Sequence, residues 1–242
     1  MAKLHLIMPM GGAGSRFFKE GFVVPKPLIE IAGKPFFYYA TRSIEKFVEL
    51  KDITFVVLKE HIEKYSIDEY ILKFFPNAKI VVIPELLNGA VLTCMKGVEW
   101  IDDNDPIIFN DCDHAFICKS FYKFDYEKLD GALLTFKSND PRYSFLEMDK
   151  TGNVIHTVEK QAVSDNAICG AYYFKNKDTF LDNAIKYLEN CDYSEYFMSG
   201  VYNVMVDKNM KIGNFICDIH VSFGTPEEYK KAQGNEIFER LC

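Results

Sequence analysis

The first half of the chain alternates apolar runs of strand length with segments patterned as helices, and this limits the fold more than any other feature. LHLIMPM (4–10), ITFVVLK (53–59), KIVVIP (79–84) and PIIFNDCD (106–113) are nearly unbroken apolar runs. Strands buried on both faces read this way. Between them, Phe36, Phe37, Ala40, Ile44, Phe47 and Val48 share one helical face, residues 62–74 form a second helix, and Val91, Cys94, Met95, Val98 and Ile101 line a third. A β-α-β-α-β-α-β order predicts an α/β fold of Rossmann-like kind. Its central sheet is mixed but mainly parallel, with right-handed crossovers and helices on both faces.

The second half changes character. GALLTFK, SFLEMD, VIHTVEK and CGAYYFK are strands separated by short turns, which suggests an antiparallel extension of the same sheet. Residues 177–209 read as helical with an interruption at 191–194. KIGNFICDIHVSFG is a last strand or strand pair, and TPEEYKKAQGNEIFERL opens with a capping signature for a terminal helix. There is no repeat, low-complexity tract or Gly/Ser linker. The expected organisation is one domain over 1–242, with a nucleotide-side half (1–118) and an acceptor-side half (119–242).

A formal charge of −7 argues against a protein that lives on nucleic-acid backbones or anionic membranes. No run approaches 18 apolar residues, and the N-terminus reads as a strand rather than a leader. Seven cysteines without a C-x-x-C pair suit reduced thiols in a cytoplasmic protein better than a zinc or disulfide framework. A homo-oligomer remains open.

The segment after the first strand, MGGAGSRFFKEGFVVPKPL, carries the chemistry. In open parallel sheets ligands sit beyond the carboxyl ends of the strands. Gly11, Gly12 and Gly14 would therefore stand in that crevice, where glycine lets backbone N–H groups approach an anion. Arg16 adds a planar fork suited to phosphate oxygens. Lys26, between Pro25 and Pro27, is presented from a stiff backbone.

GGAGSRF followed by PKPLIEIAGKP resembles the signature of the sugar-phosphate nucleotidyltransferases, and the resemblance continues along nearly the whole chain. It implies that Met10, Gly11, Gly12, Ala13 and Gly14 hold a nucleoside triphosphate. Glu85, Asn88, Gly89 and Ala90 (from PELLNGAVLT) would meet its base, with Asp111 close by. Arg16 and Lys26 become the catalytic cations. FNDCDHAF resembles the metal-binding segment, with Mg²⁺ expected on Asp113. Asp111, roughly 7 Å away on the same face of an extended chain, would be a second ligand. VEK and the following S-x-x-A-x-x-G place Glu159 and Gly170 on the hydroxyls of a phosphorylated small-molecule acceptor, and Lys160 on its phosphate. FGTPEEY resembles the closing motif, but Ser222 stands where the family carries a second metal-binding Asp. Asp218 or His220, on the same strand face by period two, could replace it.

The implied reaction joins a nucleotide to a sugar 1-phosphate and releases pyrophosphate. A CTP-dependent transfer to a phosphocholine-like or phospho-amino-acid-like ester, a glycosyltransferase using Asp111-Cys112-Asp113, and a non-catalytic nucleotide sensor are the alternatives.

Overall fold

The computed structural model describes residues 3–102, 104–125 and 128–242. Strand β1 (Leu4–Met10) leads into α1 (Ser15–Lys19), a 3₁₀ turn at Lys26–Leu28, and a small hairpin, β2 (Glu30–Ile31) with β3 (Lys34–Pro35). Then come α2 (Phe36–Glu45), β4 (Leu50–Leu58), α3 (Lys59–Tyr65), α4 (Ile67–Phe74), β5 (Lys79–Ile83) and α5 (Ala90–Val98). The two helices α3 and α4 replace the single helix expected over 62–74. Ser66 adopts the left-handed conformation at φ 50 and breaks the ladder between them.

After β6 (Ile107–Asn110) the chain leaves the sheet, and it pairs again only as β7 (His114–Ile117). The expected strand over 106–113 therefore stops at Asn110, and both aspartates lie in the connection. Next follow α6 (Lys119–Tyr122), β8 (Gly131–Lys137), β9 (Ser144–Met148), β10 (Val154–Glu159) and β11 (Asn166–Phe174). The chain ends with α7 (Lys177–Glu189), α8 (Met198–Asp207), β12 (Ile212–Ile216), β13 (Ile219–Ser222), α9 (Pro226–Ala232) and α10 (Ile237–Leu241).

The main sheet runs β10-β9-β11-β6-β1-β4-β5, with β8 on β11 and β12 on β8. β5, β4, β1 and β6 are parallel, whereas β11 joins β6 antiparallel. The chain adds β4 and β5 on one side of β1, then crosses back to place β6 on the other. The order thus reverses at the carboxyl ends of β1 and β6, where a parallel sheet opens a crevice.

Apolar layers hold both faces. On one, α5 lies so close to the sheet that a Cβ at Gly97 would come within 2.5 Å of Ile7 Cγ2. On the other, Phe37 of α2 packs on Met8 and Phe55. Asn110 Nδ2 donates to Ala40 O at 2.9 Å and so ties the end of β6 to α2. The described cysteines are free thiols, four of them buried. Among the described residues no helix is long and apolar enough to cross a membrane.

Helix α9 begins as its sequence predicts. The Thr225 hydroxyl accepts from Glu228 N at 3.2 Å, with Pro226 in the first turn. Thr225→Ala is expected to destabilise the protein by about 1 kcal/mol, the usual worth of such a cap. Urea unfolding followed by circular dichroism would show it as a lower midpoint at unchanged slope.

Candidate active site

Two contiguous cavities of about 530 Å³ each open at the crevice. Gly12, Ala13, Lys26, Ala90, Asp111 and Glu195 line both. The first cavity is walled by Met10, Gly11 and the 86–90 segment, the second by Arg16, Asp113, Glu159, Lys160 and Gly170. The candidates from the two halves of the sequence therefore converge on one cleft.

Local geometry explains several small residues. Gly14 caps α1 at φ 60, and a Cβ there would lie 3.3 Å from Lys26 Cβ. The glycine loop and the Pro-Lys-Pro turn consequently pack backbone to backbone. Lys26 Nζ donates to Asp113 Oδ2 at 2.8 Å. Burial works against the Lys26 charge, but Asp113 outweighs it and holds the ammonium protonated. Asp113 is likewise kept below the ordinary carboxylate range, because Lys26 overcomes the cost of burying it. Arg16 lines the second cavity, and no carboxylate among the described residues pairs with it.

Asp111 behaves differently. Its backbone N–H donates to Gly170 O at 2.9 Å, and a Cβ on Gly170 would stand 2.7 Å from its Oδ2. Burial, then the charge of Asp113, pushes its carboxyl up to about 7. A Cβ on Gly224 would similarly fall 2.4 Å from Asp113 Oδ2. Two glycines thus keep the flanks of both carboxylates clear. Two hard oxygen donors that repel each other in a partly desolvated cleft suit Mg²⁺. No group of three or more His, Cys, Asp or Glu side chains among the described residues could hold a metal unaided. Substrate phosphates and water would complete the shell.

In the second cavity, Glu159 Oε1 accepts from Ser144 Oγ at 2.5 Å and from the Ser199 hydroxyl. Lys160 follows in the left-handed conformation, φ 53, with its N–H on Tyr143 O. Gly170 has φ 98, open to glycine at little cost.

Two candidates, Asp218 and Glu85, lie outside the cleft. Asp218 does not line the cleft, because its Oδ2 accepts from Lys119 N at 2.8 Å at the head of α6. Its spacing from Ser222 is that of a strand face, but β13 starts only at Ile219. His220 does line the cleft. Its ring stacks on Phe136 at 3.9 Å, and burial, then His114, holds it well below the usual imidazole range and neutral. Ser222 lines the cleft as does Tyr143, whose phenol donates to Glu228 Oε1 at 2.6 Å. Glu85 is exposed and outside the lining, whereas its neighbours Leu86 and Leu87 form the wall.

The sequence reading missed Thr93, Tyr143, Ser144, Glu195, Phe197 and Glu228, all of which line the cleft. For Glu228 a signal existed, since the capping motif fixes its offset from Thr225.

The profile of the family described as nucleotidyl transferase matches residues 5–236. The chain belongs to that family. It is 22% identical over 198 residues to glucose-1-phosphate cytidylyltransferase of Salmonella typhimurium strain LT2, covering 74% of this chain and 77% of the relative. Among solved structures, the nucleoside-diphosphate-sugar pyrophosphorylase of Vibrio cholerae RC9 superposes with TM-score 0.83 at 23% identity, over 93% of this chain and 98% of that one. The inositol-1-phosphate CTP transferase of T. maritima superposes with TM-score 0.77 at 14% identity, over 99% and 95%. The protein is thus a nucleotidyltransferase, and the crevice at the strand-order reversal is the place to look for its chemistry.

Proposed function

We propose that the enzyme transfers a nucleotidyl group from a nucleoside triphosphate, CTP by preference, to a sugar 1-phosphate, releasing pyrophosphate. The observation that carries this reading is Lys26: it rises from the wall shared by both cavities and meets Asp113, which lines the second. A cation at that junction is where negative charge builds when one phosphate attacks another.

In this reading the backbone of Gly11, Gly12 and Gly14, with Met10 and Ala13, cradles the triphosphate, and Asn88, Gly89 and Ala90 border the base. Arg16 neutralises the β- and γ-phosphates that depart. Lys26 neutralises the α-phosphate under attack. Lys160 orients the acceptor phosphate, and Glu159 with the Gly170 backbone holds the hydroxyls. Asp113 and Asp111 are the residues that would hold Mg²⁺, which when bound supplies charge neutralisation between the phosphates. The acceptor itself is the nucleophile. The protein's contribution is therefore alignment and charge, not a covalent intermediate.

CTP is favoured because the Salmonella relative and the T. maritima structure are both named for cytidylyl or CTP transfer. The latter also keeps open a second reading, in which the acceptor is a phosphate ester of something other than a sugar. A pyrophosphate-release screen of CTP, UTP, GTP, ATP and dTTP with Mg²⁺ against sugar 1-phosphates and non-sugar phosphate esters tests both. The expected result is release with CTP and a sugar 1-phosphate at a rate at least about tenfold above the other nucleotides. Transfer from a nucleotide sugar without pyrophosphate would overturn it.

A further inference from the structure

Lys160 is held by unusual means. No carboxylate among the described residues pairs with it, and its ammonium rests over the ring of Phe197, 4.9 Å from the centroid. Its backbone is left-handed, its N–H is anchored on Tyr143 O, and both Lys160 and Phe197 line the acceptor cavity. A bulky residue keeps φ near +50 only where its surroundings over-determine it.

The surroundings do so from two sides. Lys160 directly follows β10, and Phe197 directly precedes α8. These elements are strapped together: Thr157 N donates to Asn203 Oδ1, the Thr157 hydroxyl donates to Ser199 O, and Asn203 Nδ2 returns a bond to Thr157 O. Phe197 is fixed independently. Its N–H donates to Tyr187 Oη at 3.3 Å, and Tyr193 packs edge-on against its ring at 5.7 Å. A rigid ring face therefore stands under a cation whose backbone is itself rigid.

We propose that Phe197 is a positioning residue for Lys160. The ring keeps the ammonium in the acceptor cavity and away from neighbouring carboxylates, so that it is free for the incoming phosphate. This rests on the reading of Lys160 as the acceptor-phosphate cation. A cation over a phenyl face is held by an attraction weak enough for a phosphate to outcompete, unlike a buried ion pair.

The test is steady-state kinetics of Phe197→Leu, with Phe197→Met, a ringless side chain flexible enough to adapt to the space, as the second variant should the leucine fail to fold. Loss of the ring is expected to raise the acceptor KM about fivefold, with kcat and the nucleotide KM within about twofold. Phe197→Tyr and Phe197→Trp restore the acceptor KM. In a Lys160→Met background the same ring removal adds nothing. An unchanged acceptor KM, or an equal penalty without Lys160, overturns the proposal.

A second readout needs no acceptor. Acetic anhydride labelling followed by mass spectrometry compares Lys160 with the exposed Lys150. Lys160 should acetylate faster once the ring is gone, and an unchanged rate overturns the role of Phe197. A wild-type enzyme inert toward every acceptor would overturn the proposed function, while the labelling contrast would still decide the role of the ring.

Discussion

Lys26→Ala is expected to lower kcat by about 10²–10³, the range found when one preorganised charge-stabilising donor is removed from a transition state. The nucleotide KM should change far less, because the glycine loop and Arg16 remain in place. The physical reason lies in the 2.8 Å contact between Lys26 Nζ and Asp113 Oδ2. The ammonium neutralises one of two aspartates that repel each other, and on the proposed reading it also meets the phosphate under attack. Asp113→Ala should cost as much, and the double variant little more than either single one, because the two groups act as a unit. Thermal unfolding should stay within a few degrees of wild type, since both side chains are part-exposed and neither fills the core. Near-wild-type turnover by the folded Lys26 variant would remove Lys26 from the chemistry.

Gly89→Ala is expected to be the most damaging single methyl added to the cleft. Gly89 has φ 99, and a Cβ there would lie 2.4 Å from Tyr196 N and 2.6 Å from Tyr196 O. Those backbone atoms are already committed: Tyr196 N donates to Asn88 O, and Tyr196 O accepts from Val91 N. The second bond replaces the side-chain cap that α5 lacks. Strain at a glycine-only conformation plus an overpacked backbone contact should cost about 2–4 kcal/mol of stability. The wall of the first cavity would shift with it, which on the proposed reading raises the nucleotide KM by more than about tenfold. Denaturant unfolding alongside nucleotide kinetics checks both, and wild-type stability would show that the two loops part freely.

These two positions also show what sequence reading reaches. Lys26 was legible because its neighbours, Pro25 and Pro27, are local in the chain. The strands and the helices α2 and α5 were legible because burial imposes its period on consecutive residues. Gly89 was legible as a small residue near the base, but its partner Tyr196 lies in the other half of the chain. The spacing that placed Asp111 and Asp113 on one strand face assumed a strand, and β6 ends at Asn110. The period that offered Asp218 as a metal ligand could not register the nearby Lys119 N–H, which takes its carboxylate. Phe197 carried no local signal, since an aromatic in this chain is usually core. Its role depends on Thr157 and Asn203 bringing β10 against α8.

The position of β11 has a consequence for how the protein is made. β6 is flanked by β1, already synthesised, and by β11, which is not complete until Phe174. On a ribosome the far edge of β6 waits several seconds for its neighbour. For that interval a strand buried in the finished fold presents unpaired N–H and C=O groups, and Asp111 lacks the Gly170 carbonyl that anchors it. The nascent chain is thus most open to aggregation just when its first half has been synthesised, and chaperone demand should peak there.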